Sequence, residues 1–213
     1  MFIFGHIGLT LGAATILANS LPSSNFAGTT GRKINKPSPF SRFPSNISAF
    51  LTHSNSWFVS LGNYIDIRLL VIASLLPDII DKPVGIYFLK EVISNVRIIC
   101  HTLIFLILIT AVGFYLYKRH SQTSLLGVSF GVFTHLVFDQ MWLAPRTLFW
   151  PIYGITSDKS GTTDWIINML HALMTNPQVY IPELVGIALL AWFTLALMQK
   201  RAVFCFLKYG QVK

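Results

Sequence analysis

Five apolar stretches alternate with polar, proline- and glycine-bearing segments along the chain: residues 2–20, 64–81, 97–117, 121–143 and 179–198. Runs of about 20 apolar residues read as helices long enough to cross a bilayer. Residues 97–117 give the clearest span and end on Lys118-Arg119-His120. Residues 64–81 close on a Pro-Asp break. In residues 121–143, Gly127 and Gly131 stand at the small-xxx-small spacing that lets two membrane helices approach closely. Residues 2–20 could instead be a signal peptide, since Ala18-Asn19-Ser20 resembles a small-residue cleavage site. No basic residue precedes the run and His6 interrupts it, so it reads as a retained helix.

The segments between have a different character. Residues 21–63 are rich in Ser, Asn, Pro and Gly and carry Arg32, Lys33, Lys36 and Arg42 without one acid. That composition predicts a long, flexible connection, with Phe50, Trp57 and Phe58 able to rest at the membrane interface. His53 lies in it and reads as a surface histidine. Residues 82–96 are too short to cross, and residues 144–178 form a polar, aromatic loop in which Asp158, Asp164 and His171 read as solvated. The fold class that follows is all-α: a polytopic transmembrane bundle of about five membrane-embedded helices. It is expected to be a single domain over 1–213, with a flexible loop at 21–63.

Composition agrees with this reading. The chain has 213 residues, 53% hydrophobic and only 11% charged, which places it outside the soluble globular class. A net charge of +8 would suggest nucleic acid in a soluble protein. Here the cations are dispersed among membrane loops, where they set orientation, so no nucleic-acid partner is expected. Cys100 and Cys205 give no disulfide framework.

Of the 16 Lys and Arg residues, eleven fall on one side: Arg32, Lys33, Lys36, Arg42, Arg68, Lys118, Arg119, Lys200, Arg201, Lys208 and Lys213. The other side has five: Lys82, Lys90, Arg97, Arg146 and Lys159. The positive-inside rule puts the first side in the cytoplasm, the N-terminus outside and the C-terminus cytoplasmic.

With that orientation, and a rise of about 1.5 Å per residue, six polar side chains from four helices come to the outer leaflet. They are His6, Asp78, Asp81, His101, His135 and Asp139. A charge at membrane depth is tolerated when it faces the protein interior, water or a cation. Pro77 adds freed backbone, which survives in a membrane where it lines a cavity. His135 and Asp139, four apart, share a helical face, and Asp78 and Asp81 would do so if the helix persists past Pro77. A His/Asp set suits zinc, with manganese or iron as alternatives. Against this stand blander readings: a buried His–Asp hydrogen bond, a solvated Asp81 paired with Lys82, headgroup contacts for Arg97 and Arg146. Glu183, at the outer start of the fifth span, is ambiguous.

Four stretches, in order, are Gly5-His6-Ile7-Gly8-Leu9-Thr10-Leu11-Gly12, Leu75-Leu76-Pro77-Asp78-Ile79-Ile80-Asp81-Lys82-Pro83, Arg97-Ile98-Ile99-Cys100-His101-Thr102-Leu103-Ile104-Phe105 and His135-Leu136-Val137-Phe138-Asp139, the last continuing into Leu148-Phe149-Trp150-Pro151-Ile152-Tyr153-Gly154. Together they resemble the YdjM-like family of inner-membrane-associated, metal-dependent hydrolases. The resemblance implies His6, Asp78, His101, His135 and Asp139 as metal ligands, hydrolytic activity, and distant kinship with zinc-dependent phospholipase C-like helical folds. Many relatives carry Pro-Asp-x-Asp, whereas here the second acid comes three residues after the first.

The expectation is an integral protein of the inner membrane that hydrolyses an ester or phosphoester, with lipid as a candidate substrate. A divalent metal would sit in the site; Asp81 would ligate or act as general base, and Arg97 or Arg146 would steady substrate charge. One rival is a transporter using the same groups as a relay. It predicts polar residues continuing inward, yet Leu106–Leu116 and Leu189–Met198 offer almost none. The other rival is a non-catalytic membrane scaffold whose basic loop docks a partner.

Overall fold

Helix α1 (Ile3–Ser20) is the element against which the others are arranged. The structure is a computed structural model, and it describes residues 1–20, 61, 65–85, 99–153 and 165–210. After α1 come α2 (Ile67–Pro83), α3 (Leu103–His120), α4 (Ser124–Phe138), a 3-10 turn at Met141–Leu143, α5 (Pro145–Leu148), α6 (Trp165–Thr175), α7 (Pro177–Gln199) and α8 (Val203–Tyr209). Among the described residues every regular element is a helix. The expected loop at 21–63 lies outside them except for Leu61, as does Arg97.

α1 packs along α7 and against α2 and α4, while α2 and α3 both pack on α4. The α1–α7 crossing is set by glycine. A Cβ on Gly8 would stand 2.2 Å from the Gly186 carbonyl oxygen, so the two backbones touch where any larger side chain would separate them. Gly131 does the same for α4 on α2, where a Cβ would meet that of Ala73 at 2.6 Å and the Ser74 backbone nitrogen at 3.0 Å. Leu11, Ala14, Ile67, Leu70, Phe193 and Ala196 fill the main core. α3 sits at the rim. Gly113 is its only buried residue, and Ile104, Ile107, Leu108, Val112 and Phe114 point outward, the surface a helix presents to hydrocarbon.

The expected count of about five spans is not confirmed. Three helices, α1, α3 and α7, are long and apolar enough to cross a membrane. α4 is apolar but has 15 residues, about 22 Å at 1.5 Å per residue, against a hydrocarbon core of about 30 Å. It stops at Phe138 rather than running to Leu143, because Gln140 turns the chain into the left-handed region at φ 53°. α2 has 17 residues and carries Arg68, Asp78, Asp81 and Lys82. The outer loop expected at 144–178 contains α5 and α6.

Caps fix the helix ends. Thr102 Oγ1 accepts from Phe105 N–H at the start of α3, and Asn176 Oδ1 accepts from Gln178 N–H at the start of α7. Lys118, Arg119 and His120 occupy the last turn of α3, where positive charge complements the helix dipole.

Asp66 caps α2 and grips Arg68, whose Nη1 donates to the Leu207 carbonyl at 2.8 Å. Ile67 N–H donates to Gly210 O at 3.1 Å. Gly210, at φ 69°, ends α8 in a conformation open to glycine, and a Cβ there would run into the Asp66 carboxylate. The C-terminal helix is thereby clasped to the start of α2, at the end where the basic turn of α3 also lies.

Two predictions follow from the packing. Gly8→Val forces α1 off α7 and should lower stability by about 1–3 kcal/mol or more. Gly12→Ala meets only the flexible Leu189 side chain at 3.0 Å and should be milder, the two being compared by thermal melts in detergent. The Arg68 guanidinium holds the Asp66 carboxyl below the usual carboxylate range. Its stabilisation is therefore complete above about pH 4 and fades as pH falls toward the lower folded value. Melting temperatures of wild type and Asp66→Asn should differ at neutral pH and converge as the pH falls below the usual carboxylate range.

Candidate metal centre

Helices α1, α3 and α7 begin, and α2 and α4 finish, at one end of the bundle, so residues remote in sequence meet there. Asp78 and Asp81 come from the last turns of α2, His101 from the turn before α3, His135 from the last turn of α4, and Asp139 caps that helix. Asp78, His101, His135 and Asp139 each offer one ligating atom, and these atoms all lie within 4.8 Å of one another. The group could hold a metal ion.

The two imidazoles show why. His101 Nδ1 lies 2.7 Å from Asp81 Oδ2, and that carboxylate also accepts the backbone N–H groups of Ile99, Cys100 and His101. A carboxylate that already accepts three amides is ionised, so Nδ1 carries the proton. His135 Nδ1 lies 2.7 Å from the Ser74 carbonyl oxygen, which can only accept, so this Nδ1 carries a proton too. In the neutral rings both Nε2 atoms are then bare lone pairs, and they face each other at 3.2 Å. Two acceptors at that distance repel unless a proton or a metal cation lies between them. Two nitrogens at about 2.0–2.1 Å from a tetrahedral zinc ion would be roughly 3.3 Å apart. The donors present fit such an ion.

Carboxylates complete the surroundings. Asp78 Oδ1 is 3.6 Å from His101 Nε2 and 3.9 Å from His135 Nε2, while its Oδ2 accepts from Lys82 Nζ at 2.7 Å. Asp139 Oδ2 is 3.9 Å from His135 Nε2. Its Oδ1 lies 3.1 Å from His6 Nε2 and 3.0 Å from the Met1 amino group.

Local sequence explains each placement. Pro77 lacks the N–H that would pair with Ala73 and loosens the carbonyl ladder of that turn; Ser74, in the same turn, turns its carbonyl to His135. Gly131, one turn before His135, lets α4 come close enough for that bond. Asp81 sits over three successive amides ahead of α3, joining the end of α2 to the start of α3.

His6 is brought into the cluster but lies behind it. Its ring is fully buried and stacked on His135, centroids 4.0 Å apart and planes 15° apart. Although Nε2 is near Asp139, neither ring nitrogen has an aligned hydrogen-bond partner among the described residues. Arg146 is exposed on α5, and His171 is exposed on α6. Cys100 is buried beside Asp81 and is not one of the four residues whose ligating atoms converge.

Sequence reasoning left Glu183 unassigned. It is buried on α7 and accepts from the backbone N–H groups of Phe2 and Gly5, capping α1 just ahead of His6. The signal for it was the glycine pair: Gly186 on α7 touches Gly8 on α1, which puts residue 183 one turn away at the α1 N-terminus.

The sequence matches the family described as YdjM inner membrane protein over residues 1–211. The chain belongs to that family. No curated protein and no solved structure matches it. Membership agrees with the apolar helices and makes this an inner-membrane protein. The four stretches quoted above carry the YdjM likeness, and the structure brings His6, Asp78, Asp81, His101, His135 and Asp139 from them to the same end.

The tautomers can be tested in this YdjM-family protein. In metal-free protein near neutral pH, 15N NMR of labelled histidines should show both His101 and His135 protonated at Nδ1. Nε2–H forms in both rings would contradict the arrangement.

Proposed function

We propose that this YdjM-family protein is a membrane-bound, metal-dependent hydrolase that cleaves an ester or phosphoester at the outer face of the inner membrane. The observation that carries the reading is the pair of Nε2 lone pairs held face to face at 3.2 Å. Asp78, His101, His135 and Asp139 would hold a divalent ion, zinc by preference given two imidazoles, with manganese or iron as alternatives. When bound, such an ion supplies Lewis acidity and lowers the pKa of water beside it.

The chain's own residues do the rest. Asp81 fixes the tautomer and direction of His101, and the Ser74 carbonyl does so for His135, the supporting role that outer hydrogen bonds play at metal sites. Asp81 is read here as a positioning residue, because its oxygens already hold His101 and three amides. His6 backs His135 and adjoins Asp139. Asp78 is 16% exposed, whereas the two imidazoles are closed to solvent, so substrate would approach over Asp78. Arg146 remains a candidate for steadying substrate charge.

The cations support the outward orientation. Arg68, the basic last turn of α3 and α8 lie at the end opposite the cluster, as the positive-inside rule expects if the cluster faces out. A relay transporter is less well supported. The other buried polar groups along α1 and α4 are uncharged and hydrogen-bonded: Thr10 with Thr134 across the two helices, Thr15 with Leu11 O and Ser129 with Leu125 O within their own helices.

Metal analysis of purified protein tests the reading. Wild type should retain about one equivalent of a divalent ion or more. His101→Ala and His135→Ala should lose it, and Asp81→Asn should bind about 10–100-fold more weakly. Near-zero metal in wild type and both alanine variants alike would sink the site.

A further inference from the structure

The way into the centre has a chemistry of its own. Of the four ligating residues, His101 and His135 are fully enclosed, Asp139 is 3% exposed and Asp78 is 16% exposed. A substrate must therefore come in over Asp78. The group beside that opening is the Lys82 ammonium, 35% exposed and 2.7 Å from Asp78 Oδ2. Between the two in sequence stands Ile79, 55% exposed on a helix end that the fold leaves facing out. Asp78 thus has Oδ1 toward the histidines and Oδ2 on a cation, and that cation stands three residues from the exposed Ile79 on the same helix.

We propose that Lys82 is a specificity-determining residue of this site and that the substrate class is an anionic phospholipid, its phosphate held by Lys82 and its chains lying along the exposed apolar side of α2. This rests on the hydrolase reading of the centre. An ammonium with three N–H donors can hold a carboxylate and a phosphate oxygen together, and a charge-assisted bond of that kind is strong where water is scarce. A neutral ester lipid would leave the cation without that contact, and a soluble phosphate would leave the apolar surface unused. Lys82 serves this role better than Arg146, which is exposed on α5, because Lys82 is hydrogen-bonded to Asp78 itself.

The test is binding, independent of turnover. Metal-loaded protein in detergent is titrated with dioctanoyl phosphatidic acid, dioctanoylglycerol and glycerol 3-phosphate. Wild type should bind phosphatidic acid at least about tenfold more tightly than either of the others. Lys82→Gln should weaken phosphatidic acid binding about tenfold, the loss of one charge-assisted hydrogen bond, and leave dioctanoylglycerol unchanged. Lys82→Arg should stay within about threefold of wild type, all three proteins being titrated with the divalent ion at saturation. Equal phosphatidic acid affinity in wild type and Lys82→Gln overturns the assignment. Glycerol 3-phosphate binding as tightly as the lipid overturns the lipid class, and dioctanoylglycerol doing so overturns the anionic class. The two readings fail separately. Lys82-dependent lipid binding by a protein that holds no metal removes the hydrolase and keeps Lys82. Metal retention with Lys82-independent binding does the reverse.

Discussion

Two imidazole lone pairs aimed at each other across 3.2 Å form the constraint on which the rest of this molecule depends. Neither ring is free to escape by changing tautomer. Asp81 fixes the proton of one on Nδ1, and the Ser74 carbonyl fixes that of the other. A buried acceptor pair of this kind is unfavourable by itself, so the bundle holds an arrangement that becomes favourable when positive charge enters. Preorganisation of that sort is what distinguishes a binding centre from a histidine merely satisfied in a core.

Holding it takes close backbone contact at three crossings. Gly131 brings α4 onto α2 so that the Ser74 carbonyl reaches His135; the amides before α3 converge on Asp81; Gly8 and Gly186 seat α1 on α7, where Glu183 caps the α1 N-terminus. In a membrane, helices gain little by burying apolar side chains against one another, because lipid is equally apolar. Small residues and interhelical hydrogen bonds take over the task. That is why the glycines and the buried polar groups of this chain are found on the same helix faces.

The bundle is also polarised along its length. Carboxylates and imidazoles gather at one end; Arg68, the basic turn of α3 and the clasped α8 occupy the other. The two short helices, α2 and α4, end on the Asp/His group that could hold a metal and do not run the full thickness of a hydrocarbon core.

The sequence alone determined the helical class and the single end at which the chemistry gathers. Apolar runs near membrane length, with His6, Asp78, His101, His135 and Asp139 each near one terminus of its run, leave few other foldings. Pro77-Asp78 and His135-x-x-x-Asp139 were legible as a pair of sites because charge at that depth needs a partner. What the sequence could not decide was how each residue divides the work. Asp78 and Asp81 are chemically alike and three residues apart, yet one faces the imidazole nitrogens and the other grips the amides ahead of α3. Only the approach of the α3 entry turn, whose amides close on Asp81, separates them. The span count is not confirmed for a related reason: hydropathy shows where a run is apolar, whereas the cap at Asp66 and the left-handed turn at Gln140 decide where a helix starts and stops. Likewise Glu183 acquires a role only through the contact of Gly8 with Gly186, a fact of three-dimensional packing that no local pattern contains.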